Sequence, residues 1–444
     1  MKRALVVLLV LALTEAVGLV PGASAAALPN GMTLVPVECR GSSICGIHLA
    51  LKIGPERVPA SKAGLRALTQ QVLLGRLRDE MGKRGDLLDL RLEGGQGAAF
   101  SVQTEWDYVE FRASVTDTNL DKMLKFLAQS VFEADWGEDD IVRAKDLMDR
   151  DRSSEGGTDT PASSAFSLFR KAILGDTPLS QPVYGTSESR AKITLADVKA
   201  FYKSYYVPNL SSLCVVAPLT PKQITDLATK SFGSYKPRDV SRLAEVTPGP
   251  KESRVEIGAS PDLDTAVIIV GIPVGAPGTD AFLMGEIVHA ALTGPKGSLT
   301  ADPSLLTVFS LPERLGNAVP GVVGVLPLAY ERQPYLAAFA RAAPTSVEAV
   351  RAGILKHFQE LATKPLSPEA LKRAKTRAIN LHASPLEDAV TAASVINRAS
   401  LYGLDYTKQS DYATRISAVT AEALQQFAKT SFTRHAVGVL MPGD

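Results

Sequence analysis

Three segments of this 444-residue chain return later in the same order, and that recurrence constrains the fold more than any other feature. Residues 141–145 (Ile-Val-Arg-Ala-Lys) reappear at 371–375 (Leu-Lys-Arg-Ala-Lys), 193–201 at 419–427, and 213–217 at 436–440. The lysine of the first segment precedes the threonine of the second by 49 residues in one copy (145 to 194) and by 45 in the other (375 to 420). Amphipathic helices share residues by chance, but three matches in one order mark a duplicated unit.

Both kinds of element surround these segments. Strand-type runs at 33–37 and 47–53 precede helices over 62–77 and 85–93. Period-two alternation returns at 98–104 and 108–115, and helices follow at 120–132, 138–152 and 163–174. Thr194 is a cap for a helix over 195–205, with a strand at 212–217 and a helix at 221–231 behind it. The stretch 235–253 holds Pro237, Pro248, Gly249 and Pro250 without periodicity. Beyond it the order restarts with a strand at 266–271 and a helix at 281–292. The expected fold class is α+β, as two tandem similar domains, 27–235 and 255–444, joined by a linker at 236–254. Each is expected to be a mixed or antiparallel sheet packed with helices on one face.

Lys2 and Arg3, the apolar run 4–13 and the small residues Gly22-Ala23-Ser24-Ala25-Ala26 have the form of a secretory signal over 1–26. The mature protein is then expected to be exported, to periplasm or medium. Glu15 interrupts the apolar run, and no later segment is long and apolar enough to span a bilayer, so no membrane association is expected after cleavage. With 48 basic and 47 acidic residues the chain has no field to attract nucleic acid or anionic lipid. Cys39 and Cys45 flank a short loop between two apolar runs, which reads as a hairpin closed by a disulfide; two free thiols are the alternative. Cys214, within a strand-type run, reads as a buried apolar residue.

The segment Gly64-Leu65-Arg66-Ala67-Leu68-Thr69-Gln70-Gln71-Val72-Leu73-Leu74 resembles the active-site helix of the insulinase-like zinc metallopeptidases, the pitrilysin and mitochondrial processing peptidase family. That helix reads roughly Gly-Leu-x-His-x-x-Glu-His-Met-Leu-Phe. Ala67, Gln70 and Gln71 occupy its three chemical positions. A catalytic zinc needs imidazole or carboxylate donors, and the water it binds needs a base. Alanine offers the metal nothing, and an amide cannot act as a base near neutral pH. The family's third ligand, a glutamate on a later helix, corresponds to Asp151 at the end of 138–151, where Ala144 replaces the helix's first glutamate. The chain has five histidines, and no two stand three to five residues apart.

The likeness runs from Leu28-Pro29-Asn30-Gly31 to Val439-Leu440-Met441-Pro442. It includes Ile193-Thr194-Leu195-Ala196-Asp197-Val198 and Leu366-Ser367-Pro368-Glu369-Ala370-Leu371. It implies a degenerate family member without catalysis of its own and with no cofactor expected, zinc belonging to active members. Such a chain would be the non-catalytic subunit of an exported heterodimer, beside a zinc-bearing paralogous subunit, where it helps enclose and position peptide or unfolded protein. Alternatives are a stand-alone peptide-binding scaffold, or a metalloendopeptidase with an unconventional zinc site. The resemblance further implies substrate contacts at Arg314 and Tyr330 and at a loop bearing Gly294 and Gly297. A plain turn and an ordinary strand are the competing readings there.

Other chemistry is weaker. Glu286 and His289 stand three apart on a helix, a spacing that can present two metal ligands, but two do not hold zinc. The carboxylates of 138–151 interleave with Arg143, Lys145, Arg150 and Arg152, as on a solvated helix face. No Gly-x-Ser-x-Gly elbow, phosphate loop or dinucleotide fingerprint occurs.

Overall fold

The computed structural model describes residues 25–83, 100–150, 161–241, 252–261, 263–292, 324–328, 334–404 and 409–443. The chain forms two compact units. The first comprises Met1–Ser154, Val183–Leu243 and Ala383–Asp411, the second Glu155–Pro182, Ala244–His382 and Tyr412–Asp444. A cut at the linker and this division differ by two exchanged segments, since each half of the chain contributes one piece to the other half's unit.

In the first unit, β1 (Ala26–Ala27), β2 (Thr33–Glu38), β3 (Ile44–Leu51), β4 (Phe100–Thr104), β5 (Val109–Thr116) and β6 (Ser211–Ala217) form one sheet in the order β1-β2-β6-β3-β5-β4. In the second, β7 (Arg254–Ser260), β8 (Ala266–Pro273), β9 (Gly324–Leu328), β10 (Tyr335–Ala342) and β11 (Ala436–Pro442) follow the order β7-β11-β8-β10-β9. The orders match strand for strand once β1 is set aside, and the parallel pair falls at the same place, β2 with β6 and β7 with β11. Smaller devices repeat too. Thr194 caps helix Leu195–Tyr205 and Thr420 caps Ala421–Ser431. Lys145 Nζ donates to the Ile193 carbonyl at 2.7 Å, and Lys375 Nζ to that of Ser417 at 2.8 Å, which ties a preceding helix to each cap. The sheet-and-helix fold is as expected.

Side-chain alternation assigns the two faces of each sheet. Ile47, Leu49 and Leu51 of β3, Phe111 and Ala113 of β5, and Leu213 and Val215 of β6 join a core with helices that include Leu65–Lys83, Leu120–Phe132 and Pro221–Phe232. The opposite face is covered as well, by the single helix Ala389–Leu401, whose Ala392, Ala393 and Ile396 pack on Val35, Val37, Cys214 and Val216. The second sheet repeats this with helix Pro161–Leu174, whose Ala165, Phe169 and Ala172 lie on Val267, Ile269, Ala337 and Phe339. Glycine permits the close approach in both. A Cβ on Gly46 would stand 2.0 Å from the Ala389 carbonyl oxygen, and one on Gly438 2.4 Å from the Phe169 amide nitrogen.

One expectation fails at the first crossover. β2 and β3 are not a hairpin, because β6 lies between them, parallel to one and antiparallel to the other. Two ladder spacings come to roughly 10 Å, whereas a disulfide needs Cα atoms within about 7 Å. Accordingly Cys39 and Cys45 close no disulfide and are buried thiols. Burial, with Asp117 and Cys39 nearby, raises the Cys45 thiol to about 12. Cys214 is fully buried, as expected.

Candidate functional site

Helix Leu65–Lys83 carries the motif positions. Ala67 and Gln70 are each 3% exposed, and Gln71 is half-buried. Gln70 is bonded at both ends of its amide: Nε2 donates to the Gln103 carbonyl at 3.3 Å, and Oε1 accepts the Tyr206 hydroxyl at 2.8 Å. Both partners are appropriate to an amide, which gives one donor group and one acceptor to the core and titrates nothing. One turn earlier on the same face, the buried Arg66 donates to the Ile53 carbonyl at 2.7 Å and to that of Tyr108 at 3.4 Å. Burial lowers its pKa to about 10 against the opposing pull of Glu56 and Asp107. Ala144 is buried in the facing helix Glu138–Arg150.

Among the described residues, no group of three His, Cys, Asp or Glu side chains is placed to hold a metal ion. Asp151, Gly294, Gly297, Arg314 and Tyr330 lie outside the described residues. Glu286 and His289 share helix Asp280–Leu292, where His289 is buried and Glu286 half-buried. Burial raises the Glu286 carboxyl to about 7, opposed by a hydrogen bond with Tyr412 and the charge of Arg415.

The densest polar chemistry lies under helix Ala389–Leu401, at residues that sequence reasoning did not bring together. His48, wholly buried on β3, shares a 2.8 Å hydrogen bond through Nε2 with Glu110 of β5. The other oxygen of Glu110 meets Arg112 in an ion pair. From the covering helix, the Asn397 amide nitrogen approaches the His48 carbonyl at 3.0 Å, the Ser212 carbonyl at 2.8 Å and His48 Nδ1 at 2.9 Å. The Ser212 hydroxyl donates to Asn397 Oδ1. Two carbonyls facing the amide nitrogen fix which way the Asn397 amide points. His48 Nδ1 must then accept, its proton sits on Nε2, and the ring is a neutral imidazole that donates to an ionised Glu110.

The charges agree with that assignment. Burial depresses the His48 pKa. Burial alone would raise Glu110, but the bond from His48 and the guanidinium groups of Arg112 and Arg398 bring it down to about 2. Burial likewise opposes the charge on Arg398, yet Tyr108, Glu110 and Glu105 raise its pKa above the ordinary arginine value. At the β4–β5 turn the Tyr402 hydroxyl donates to Asp107 at 3.2 Å. Glu105 rises to about 7, mainly through burial and then through the Glu110 carboxylate. The one sequence signal for this cluster is a run of polar residues at alternate strand positions: His48, Glu110, Arg112 and Ser212 all point away from the apolar core.

The fold is thus two like units, each a sheet between a helical layer and one covering helix, with the helix of the degenerate motif in the first. Known proteins agree. Residues 192–378 match the family model described as the peptidase M16 inactive domain. The zinc protease PqqE of Helicobacter pylori is 22% identical over 228 residues, 51% of this chain and 50% of that protein. The chain thus matches about half the length of that curated relative. Among solved structures, a protease from Helicobacter pylori superposes with a TM-score of 0.78 at 18% identity, over 95% of this chain and 100% of the other. A peptidase M16 inactive domain from Pseudomonas fluorescens does so with a TM-score of 0.77 at 16% identity, over 95% and 98%. Over residues 192–378 the chain thus matches the M16 peptidase family, its fold is that of M16-type peptidases, and the positions of the His-x-x-Glu-His motif are held by Ala67, Gln70 and Gln71.

Proposed function

We propose that this chain is a non-catalytic M16 homologue that is exported and works as the partner of a zinc-bearing paralogous subunit, helping to enclose and position peptide or unfolded protein. The observation that carries this reading is the state of the motif: Ala67, Gln70 and Gln71 stand where two ligands and a base are needed, and Gln70 is bonded into the core at both ends. Relatives named zinc proteases, and a matching model named for the inactive domain, support the same assignment. The Lys2-Arg3 start, apolar run and small-residue exit support export.

The test is elemental analysis of the purified mature chain, together with cleavage of quenched fluorescent peptides by the chain alone, by its paralogue, and by both mixed. The expected result is no zinc and no cleavage alone, with the mixture cleaving faster than the paralogue and eluting as one complex. About one zinc per chain with chelator-sensitive cleavage by the isolated chain would overturn the reading. Peptide held without cleavage, with no association to a paralogue, would replace it by a binding scaffold.

A further inference from the structure

The two sheets differ at one edge. In the first unit the outer side of β2 is occupied, since β1 pairs with it through Ala26–Leu34 and Ala27–Thr33, and β2 residues 34–37 are buried. The corresponding strand of the second unit is β7, and no strand among the described residues pairs with its outer side. Its burial alternates. Glu256, Gly258 and Ser260 are half-buried on the face of helix Pro161–Leu174, where Lys171 reaches Glu256 at 3.8 Å. Val255, Ile257 and Ala259 are exposed on the other face. Four large apolar side chains are exposed among the described residues, and two of them are Val255 at 42% and Ile257 at 66%. An extended edge with an exposed apolar row is a template for another strand, and soluble proteins normally blunt such edges with charge, proline or a bulge. None of these interrupts the Val255–Ile257–Ala259 row.

We infer that β7 is a dimerisation edge that pairs antiparallel with β7 of a second copy of this chain about a two-fold axis through Ile257. The strand's own sequence argues for a second copy. In that register Ile257 faces Ile257, Val255 faces Ala259, Glu256 faces Gly258 and Arg254 faces Ser260. No like charges stand opposite one another, and each charged residue meets a small one. The apolar residues of both copies merge into one row on a shared face, as cross-strand pairing requires. A two-fold contact of this kind closes on itself and uses up the β7 edge of both copies. The inference is independent of the peptidase reading, since it concerns the chain's association with itself.

The test uses the whole mature chain. Its mass by light scattering is expected to double with rising concentration, and Ile257→Lys to hold it at monomer mass with an unchanged thermal unfolding temperature. Val142→Lys, at another exposed apolar position on helix Glu138–Arg150, is expected to leave the dimer intact. The register is checked with Ile257→Cys: directly opposed Cβ atoms about 4.5–5.5 Å apart are spanned by a short bifunctional thiol reagent, which should yield a covalent dimer. A monomer at all concentrations, a dimer indifferent to Ile257→Lys, or no Ile257→Cys cross-link would each overturn the inference. A monomer that instead adds an added peptide to β7 would assign the edge to a heterologous strand.

Discussion

The two covering helices do the same job with opposite chemistry. Under Pro161–Leu174 the seam is apolar, with Phe169 wholly buried and packed edge-on to Tyr335 at 4.8 Å between centroids. Under Ala389–Leu401 part of the seam is apolar, and the rest is a buried polar network of His48, Glu110, Arg112, Ser212 and Asn397. Topology is shared strand for strand, so the fold does not dictate what joins a covering helix to its sheet. An apolar seam gains from area and tolerates small shifts. A buried polar seam holds one register, because each misplaced partner leaves a buried group without a hydrogen bond.

The largest expected effect breaks the apolar side. Phe169→Ala should cost about 3–5 kcal/mol, read by denaturant unfolding, and the loss should be the same at pH 7 and pH 5. A loss that varied with pH would blur the contrast. On the polar side Asn397→Leu leaves the Ser212 hydroxyl and His48 Nδ1 without their partner, and should cost about 2–3 kcal/mol. Loss of protection in hydrogen exchange should concentrate at 389–401 and leave 161–174 unchanged. Equal loss at both helices would show that the seams are not separately stabilised.

Acid should sharpen the comparison further. His48 has a folded pKa below its ordinary 6.5, so its contribution is complete above 6.5 and declines as pH falls toward the lowered value. Glu110, brought from 4.5 to about 2, contributes fully above 4.5 and loses that contribution as pH falls toward 2. Glu105 has the opposite sign: raised from 4.5 to about 7, its contribution is complete below 4.5 and is lost as pH rises through 7. Between pH 4.5 and 6.5 His48 and Glu105 therefore oppose each other, and below 4.5 the polar seam weakens steeply. Protection from exchange at 389–401, taken relative to the intrinsic rate at each pH, should fall from pH 5 to pH 3 more than at 161–174, and a parallel fall would contradict this. The smallest effect is expected at the motif itself. Gln70→Glu exchanges the donor to the Gln103 carbonyl for a carboxylate and should cost about 1–2 kcal/mol, with no gain of zinc or cleavage, because Ala67 and Gln71 still offer no imidazole.

Much of the fold was legible in residue order. Strand alternation, the Thr194 cap and the recurrence of 141–145 at 371–375 are local signals, and each marks an element that the structure contains. The degenerate motif was equally legible, because ligand chemistry depends on residue type and spacing. The Cys39–Cys45 hairpin was misread because nothing local shows that β6, which begins at Ser211, inserts between β2 and β3. The polar seam was missed for the same reason: Asn397 lies 349 residues from His48.

The amino-acid sequence by itself thus determined two like sheet-and-helix units and the loss of the metal-binding side chains, since periodicity, capping and ligand identity act within a few residues. Tertiary structure alone decided which helix covers which sheet, that Gln70 is locked between Gln103 and Tyr206, and that His48 is a neutral donor beside an ionised Glu110. Those outcomes rest on contacts between residues far apart in the chain, where burial and partner geometry, rather than local preference, set the energy.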